Sequence, residues 1–166
     1  MDHALGNETR QTIKVAFFKG YPDSRLHKFV RWWTKSRYSH AEIVLDQGTT
    51  WVSISPFLFS KIQKRTDVLE PEEHWDFLEI VVTASQLSAL EDFIDETVGD
   101  GYDWFGMISS QLLPLIIKGK RRWYCSQWIA HALAHAGIFK WSKVGIYDIP
   151  DLHPGKLYDI LRVISK

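Results

Sequence analysis

The sequence predicts an α+β fold in which a small antiparallel sheet packs against helices. The predicted order is strand, helix, hairpin, strand and then mostly helices, in a chain of 166 residues of which 45% are hydrophobic. No internal repeat and no linker rich in Pro, Gly or Ser divides the chain. We therefore expect one domain over residues 1–166, with a flexible N-terminal segment over 1–11.

The strands are predicted from β-branched and aromatic runs. Residues 12–19 form one such run. Residues 39–55 contain two alternating runs separated by a Gly-containing turn at 46–48, which is typical of a hairpin. Residues 75–82 are mostly apolar, so we expect a central strand there.

The helices are predicted from helical spacing and capping residues. Thr83 and Gln86 have the spacing of a capping box, and the helix they begin should end at Gly99. Pro114 should kink or end another helix. The remaining predicted helices are 23–36 (with Leu26, Phe29, Val30 and Trp33 on one face), 102–118, the segment that opens at Cys125, and 154–161.

Composition limits the classes of partner and compartment. Twenty Lys and Arg residues balance 20 Asp and Glu residues, so we expect no nucleic acid partner. The N-terminus lacks the pattern of a secretory signal, which favours a cytoplasmic protein. The longest apolar run, 112–117, is too short to span a bilayer. The single cysteine excludes an intramolecular disulfide, and the oligomeric state stays open.

Cys125 is the residue with the most chemical potential, and three interpretations apply to it. In a helix from Cys125, His131 and His135 lie on a different side from the thiol, and Ala132 stands where a zinc protease has Glu. We therefore expect no metal site. A first-turn cysteine favours the thiolate, which indicates a nucleophile, but a small core residue is the alternative.

His40 is the candidate base for such a nucleophile. Strand alternation places His40 and Glu42 on one face and the apolar Ala41 and Ile43 on the other, which should face the core. We expect the helix N-terminus carrying Cys125 to lie against the face of His40 and Glu42. A thiol, a base and a polar group that orients the base form a generalised triad.

The chain resembles the circularly permuted papain-like hydrolases related to NlpC-type peptidases, which include bacterial YiiX- and YaeF-type proteins and several phage and poxvirus proteins. The resemblance rests on four segments in order. They are SHAEIVL at 39–45 with the hairpin after it, GYDW at 101–104, WYCSQW at 123–128 and HPGKLYDIL at 153–161. It implies a permuted NlpC/papain-like fold.

By this resemblance Cys125 is the nucleophile and His40 the general base. Many relatives carry an acidic or histidine residue where this chain has Val52-Ser53, so Ser53, Ser55 or Glu42 would orient the imidazole. Further site residues implied are Tyr124 and Tyr102 near the oxyanion and Gln127 where relatives often carry Glu. Trp128 is a candidate site-lining residue because it lies close to Cys125 in the sequence.

The implied reaction is acyl transfer without a metal or organic cofactor. The favoured activity is a peptidase or amidase, with cell-wall peptide as substrate, and the protein would then reach the wall by lysis or in a virion. A lipid acyl thioesterase or acyltransferase with the same dyad and a catalytically inactive interaction protein are the alternatives. Substrate could meet the tryptophans Trp32, Trp33, Trp104, Trp123 and Trp128, or the basic stretch 118–122, although a core and a solvated loop are the simpler interpretations.

Overall fold

The computed structural model of this protein describes residues 9–21, 24–25, 28, 31–32, 35–55, 59–67, 71–102, 122–140 and 152–165. These residues form an α+β fold, as the sequence predicts. The strands are β1 (Arg10–Phe18), β2 (His40–Leu45), β3 (Thr50–Ser55), β4 (Phe59–Arg65), β5 (Trp75–Thr83), β6 (Gly101–Tyr102) and β7 (Arg122–Trp123). The helices are α1 (Ala84–Thr97), α2 (Cys125–His135) and α3 (Pro154–Leu161).

The sheet has the strand order β5-β1-β2-β3-β4-β6-β7, and the first five strands are antiparallel. β1 begins two residues before the predicted strand. Arg10 and Gln11 already pair with Thr83 and Val82 of β5, so they belong to the sheet and not to a flexible N-terminal segment. Residues 1–8 lie outside the described part of the chain.

Two features of the sheet differ from the prediction. β5 lies at one end of the strand order and not at its centre, and Phe77 and Val81 on the face away from the core stay partly exposed. β4 was not predicted at all. Its only fully buried described side chain is Ile62, and Lys61 and Gln63 on either side are exposed, so its sequence lacks a clear apolar face.

The hairpin of β2 and β3 is confirmed. Ile43 pairs with Val52, and Asp46, Gln47 and Gly48 turn the chain with positive φ angles of 50°, 56° and 106°. Glycine adopts the last of these values at no steric cost, which explains its place in the turn.

The two faces of the sheet carry different side chains. On the core face, alternate apolar residues of the sheet pack against the three helices. The core that the sheet and the helices form together includes Val15, Phe17, Ala41, Ile43, Val52, Leu90, Ile94, Trp128, Ile129, Leu133 and Leu157. The aromatic face, on the other side, carries Phe18, Val44, Trp51 and Trp75, with Tyr21 and Phe77 packed against them.

The three described helices begin as predicted. Thr83 and Gln86 form the capping box of α1, through Thr83 Oγ1 and the Gln86 side chain. α3 begins at Pro154, where the Nδ1 atom of His153 accepts a hydrogen bond from the Lys156 N–H. Pro is suited to this first position because its missing N–H would have no partner within the helix.

Two predicted helices fall largely outside the described residues. Of the predicted helix 23–36, Arg25, Lys28, Arg31 and Trp32 are described and helical, whereas its apolar positions Leu26, Phe29, Val30 and Trp33 are outside. Of the predicted helix 102–118, Tyr102 belongs to β6, and the remainder, with Pro114 and the apolar run 112–117, is outside. In the part of the chain that the structure describes, no helix has the length and apolar character to cross a membrane.

We expect the contact between α1 and α2 to depend on one buried hydrogen bond. The Trp128 Nε1–H donates to Thr97 Oγ1 at 3.0 Å, and the Trp128 side chain is fully buried. Thr97→Val keeps the shape but leaves the indole N–H unpaired, so it should lower the free energy of unfolding by about 1–3 kcal/mol in urea denaturation. Thr97→Ser keeps the hydroxyl, and an equal loss in this variant would contradict the role of the bond.

Candidate active site

Helix α2 holds Cys125 as its first residue. Tyr124 before it is extended (φ −112°, ψ 157°) and acts as the N-cap, and Trp128 N–H closes the first turn on the Tyr124 carbonyl. The next residue, Ser126, is fully buried and donates from Oγ to the carbonyl of Leu152. The first turn of α2 is therefore fixed against the segment that leads into α3.

His40 is the first residue of β2, opposite Phe18 of β1. Alternation along β2 sends Ala41 and Ile43 into the core that also contains α2, and places His40 and Glu42 on the aromatic face. α2 therefore packs on the core face. Its N-terminus reaches His40 at the end of the strand.

Cys125 and His40 are close enough for each side chain to change the pKa of the other. Burial by itself lowers the pKa of His40, but the negative charge and hydrogen bond of Cys125, with a further hydrogen bond to Glu42, raise it to about 10. Burial raises the pKa of the Cys125 thiol, but the charge and hydrogen bond of His40 lower it overall. Both shifts favour a thiolate paired with an imidazolium.

Two backbone groups also act on the sulfur. Hydrogen bonds from the backbone of Ala41 and Ser126 lower the pKa of the Cys125 thiol further. Ser126 belongs to the first turn of α2, where the backbone N–H groups form the positive end of the helix dipole. The sulfur is thus held between the start of a helix and the start of a strand.

Glu42 is the polar partner of the imidazole. His40 Nε2 lies 3.2 Å from Glu42 Oε1, which leaves Nδ1 as the ring nitrogen for the thiol. The other carboxylate oxygen, Oε2, pairs with Nη2 of Arg65 on β4. Burial raises the pKa of Glu42, but the hydrogen bonds and charges of His40 and Arg65 lower it overall.

Aromatic rings surround this ionic chain on the aromatic face. The Trp75 ring lies 6.5 Å from the His40 ring and 5.2 Å from the Trp51 ring, measured between centroids. The Arg65 guanidinium lies over the Trp51 ring at 5.5 Å. Trp51 and Trp75 are buried, so they limit the access of water to the charged groups.

Sequence reasoning missed Arg65, Trp51 and Trp75. Trp51 had a signal, because the predicted hairpin pairs it with Val44 and therefore places it on the face of Glu42. Arg65 depends on β4, which pairs it with Trp51, and β4 had no clear signal.

The other predicted site residues lie at different places in the fold. Ser53 and Ser55 are buried on β3, and neither is the residue that contacts His40 Nε2. Tyr124 and Gln127 are half-buried at the start of α2. Trp128 is fully buried and hydrogen-bonded to Thr97. Tyr102 pairs with Trp123 through the backbone of β6 and β7.

The remaining tryptophans are spread over the molecule. Trp123 donates from Nε1 to Asp100 Oδ2 at 3.1 Å and is half-buried. Trp32 is 72% exposed. Trp33, Trp104 and residues 118–121 of the basic stretch lie outside the described part of the chain, and Arg122 begins β7.

His131 and His135 pack against aromatic rings. The His131 ring lies 5.0 Å from the Trp123 ring, and the His135 ring lies 5.2 Å from the Phe93 ring. Over the described ranges, no three His, Cys, Asp or Glu side chains gather in a group that could hold a metal ion.

Comparisons with known proteins return nothing similar: no family model matches the chain, and neither the curated proteins nor the solved structures give a significant match.

We expect the Glu42 and Arg65 pair to contribute strongly to stability, because both side chains are less than a tenth exposed. Glu42→Ala leaves a buried guanidinium without its counter-charge and should cost about 3–5 kcal/mol in urea denaturation. The matched control is Lys14 and Glu79, another cross-strand ion pair in the same sheet, which is largely exposed. Glu79→Ala should cost at most about 1 kcal/mol, and similar losses at the two sites would contradict the expectation.

We also expect His40 to titrate near pH 10 instead of near 6.5. A raised pKa means that the contribution of His40 to stability is fully present below about pH 6.5 and is lost as the pH rises through about 10. Cys125→Ala removes the charge that raises this pKa, so the titration should move well below 10. NMR of ¹³C-labelled histidine checks both values, with His40→Ala to assign the signal. An unshifted His40 in the wild type would refute the ion pair.

Proposed function

We propose that this protein is a cysteine hydrolase that cleaves an amide bond through a covalent acyl-enzyme. The observation that carries the proposal is the contact between Cys125 and His40, in which the pKa of the thiol is lowered and that of the imidazole is raised. A thiolate is the nucleophilic form of cysteine, and an imidazolium beside it is a ready proton donor. The resemblance to the permuted papain-like hydrolases supports the same assignment.

In the first step the Cys125 sulfur adds to the carbonyl carbon of the substrate. The carbonyl electron pair moves to oxygen, and the oxyanion is stabilised by N–H groups in the first turn of α2. When the intermediate collapses, the C–N bond breaks and His40 Nδ1–H donates its proton to the departing nitrogen. The products are a free amine and a thioester on Cys125.

In the second step water releases the acyl group. His40, now neutral, takes a proton from a water molecule as its oxygen attacks the thioester carbon. The C–S bond breaks, the product leaves as a carboxylic acid, and the thiolate and imidazolium are restored. The step needs no redox partner because no atom changes oxidation state.

Glu42 is the positioning residue of this mechanism. Its carboxylate accepts from His40 Nε2–H and so orients Nδ1 toward the sulfur. Arg65 in turn holds the carboxylate, which keeps the pKa of Glu42 low. In this proposal Glu42 replaces the acidic or histidine residue that many relatives carry where this chain has Val52-Ser53.

The test is the rate of Cys125 alkylation by iodoacetamide against pH, followed by mass spectrometry. An ordinary thiol, with a pKa of about 8.5, is almost entirely protonated at pH 6, so His40→Ala should react roughly a hundredfold more slowly there than the wild type. His135→Ala is the matched control, because it removes an exposed histidine from the far end of the same helix. Equal rates in the wild type and His40→Ala would sink the proposal.

Fluorogenic peptide amides and acyl thioesters then distinguish the classes of substrate. Turnover of the peptide amides that is lost in Cys125→Ala supports the amide hydrolase. Turnover of acyl thioesters alone would assign the dyad to lipid acyl groups instead. A reactive Cys125 that turns over neither would contradict hydrolysis and favour an interaction protein.

A further inference from the structure

A cationic cavity of about 440 Å³ lies beside the start of β2. Its lining consists of Lys19, Lys28, Arg31, Trp32, Ser36 and Arg37. Lys19 follows the end of β1, Arg31 and Trp32 belong to the helical residues before the turn at 35, and Arg37 lies on the segment that enters β2.

The cavity is a near neighbour of the Cys125 and His40 pair. Phe18, the residue before Lys19, pairs with His40 across the sheet, and Ser39 N–H donates to the Phe18 carbonyl at 2.9 Å. Arg37 comes three residues before His40, so their Cα atoms are at most about 10 Å apart. The cavity and the dyad therefore lie at the same end of the sheet.

The positive charge of the cavity is only partly balanced. Asp76 contacts Lys19 at 3.1 Å and Arg37 at 2.5 Å, and it accepts a hydrogen bond from the Tyr38 hydroxyl at 2.7 Å. Burial raises the pKa of Asp76, but these hydrogen bonds and charges lower it overall, so it is ionised at neutral pH. Among the described contacts, Asp76 pairs with two of the four cations, Lys19 and Arg37.

Two of the lining groups are held in place without losing their capacity to bind. Arg31 donates from Nη1 to the Lys19 carbonyl at 2.9 Å, which fixes the guanidinium while its other N–H groups remain for a ligand. Ser36 Oγ accepts from Tyr38 N–H at 3.0 Å, so its hydroxyl proton is available to donate. Four like charges gathered at a cavity repel one another, and an anion would remove that cost.

We infer that this cavity is a subsite for a phosphate group carried by the substrate, an inference that rests on the proposed function. A phosphate brings up to two negative charges and several acceptor oxygens, which match two guanidinium forks and two ammonium groups better than a single carboxylate does. The exposed Trp32 ring at the rim offers an apolar surface to the part of the substrate next to the phosphate.

Binding of inorganic phosphate is measured by calorimetry at low ionic strength, on the full chain with Cys125→Ala so that the result does not depend on the thiol. Lys28→Glu should weaken binding about tenfold, the equivalent of one charge-assisted hydrogen bond. Arg25→Glu is the matched control: it reverses a charge on the same helical stretch, outside the lining, and should change binding at most about twofold. No binding at millimolar phosphate, or equal losses in both variants, overturns the subsite.

The link to the dyad is tested by alkylation with iodoacetate and iodoacetamide, which carry out the same chemistry with and without a negative charge. In the wild type, phosphate should slow iodoacetate more than iodoacetamide, and Lys28→Glu should lower the ratio of the two rates. If Cys125 is reactive but the ratio of the two rates changes neither with phosphate nor in Lys28→Glu, the subsite is overturned and the proposed function is not. Slow reaction with iodoacetamide at pH 6 overturns the proposed function, while the calorimetry still decides the cavity.

The source of the phosphate is distinguished by a last comparison. Phosphatidylcholine vesicles with and without phosphatidic acid test a lipid headgroup, and glycerol phosphate tests a soluble ester. Binding that requires phosphatidic acid and Lys28 assigns the lipid. Binding of glycerol phosphate without vesicle binding assigns a soluble phosphate ester.

Discussion

The buried contact between Cys125 and His40 is the interaction on which the arrangement of this site depends. A thiolate or an imidazolium alone would be costly in so buried a place, because each would lose its hydration without a counter-charge. Here the charges alternate along one chain of contacts from the sulfur to His40, Glu42 and Arg65. Each charge lies next to one of opposite sign, and the four together are neutral.

This alternation explains why the sheet carries two unlike faces. The core face needs only apolar alternation, which the helices cover. The aromatic face must shelter charged groups, and Trp51 and Trp75 do so with rings that also interact favourably with the Arg65 guanidinium and the His40 ring. Low local polarity strengthens the attraction between the paired charges, so the same rings stabilise the pair and raise the cost of separating it.

The parts of the site that sequence could predict are those set by local periodicity. Alternation in β2 put His40 and Glu42 on one face, and the helix after Tyr124 put Cys125 in its first turn, as the structure shows. The side of the sheet on which α2 packs is a tertiary property, which strand alternation and helix periodicity do not predict. Arg65 was not predicted as a site residue because β4 has so few buried side chains that its sequence shows no strand pattern.

The cationic cavity, like the contact between Arg65 and Glu42, depends on tertiary structure. Lys19, Lys28 and Arg37 belong to three separate stretches of chain, and each taken alone is an ordinary surface cation. Only the close of β1 beside the entry to β2 brings them to one cavity. Periodicity predicts which face of a strand or helix a residue lies on. It does not predict which distant segments of the chain line the same cavity.

The fastening of α2 has a consequence for the chain during its synthesis. Ser126 bonds to Leu152, and a side chain at Gly155 would collide with Ser36, so the segment around α3 touches both the start of the cysteine helix and the approach to His40. Until α2 packs against β2, the thiol has no imidazole beside it and has an ordinary pKa. The growing chain therefore lacks the reactive thiolate that oxidants attack, and the thiolate forms only when the chain folds.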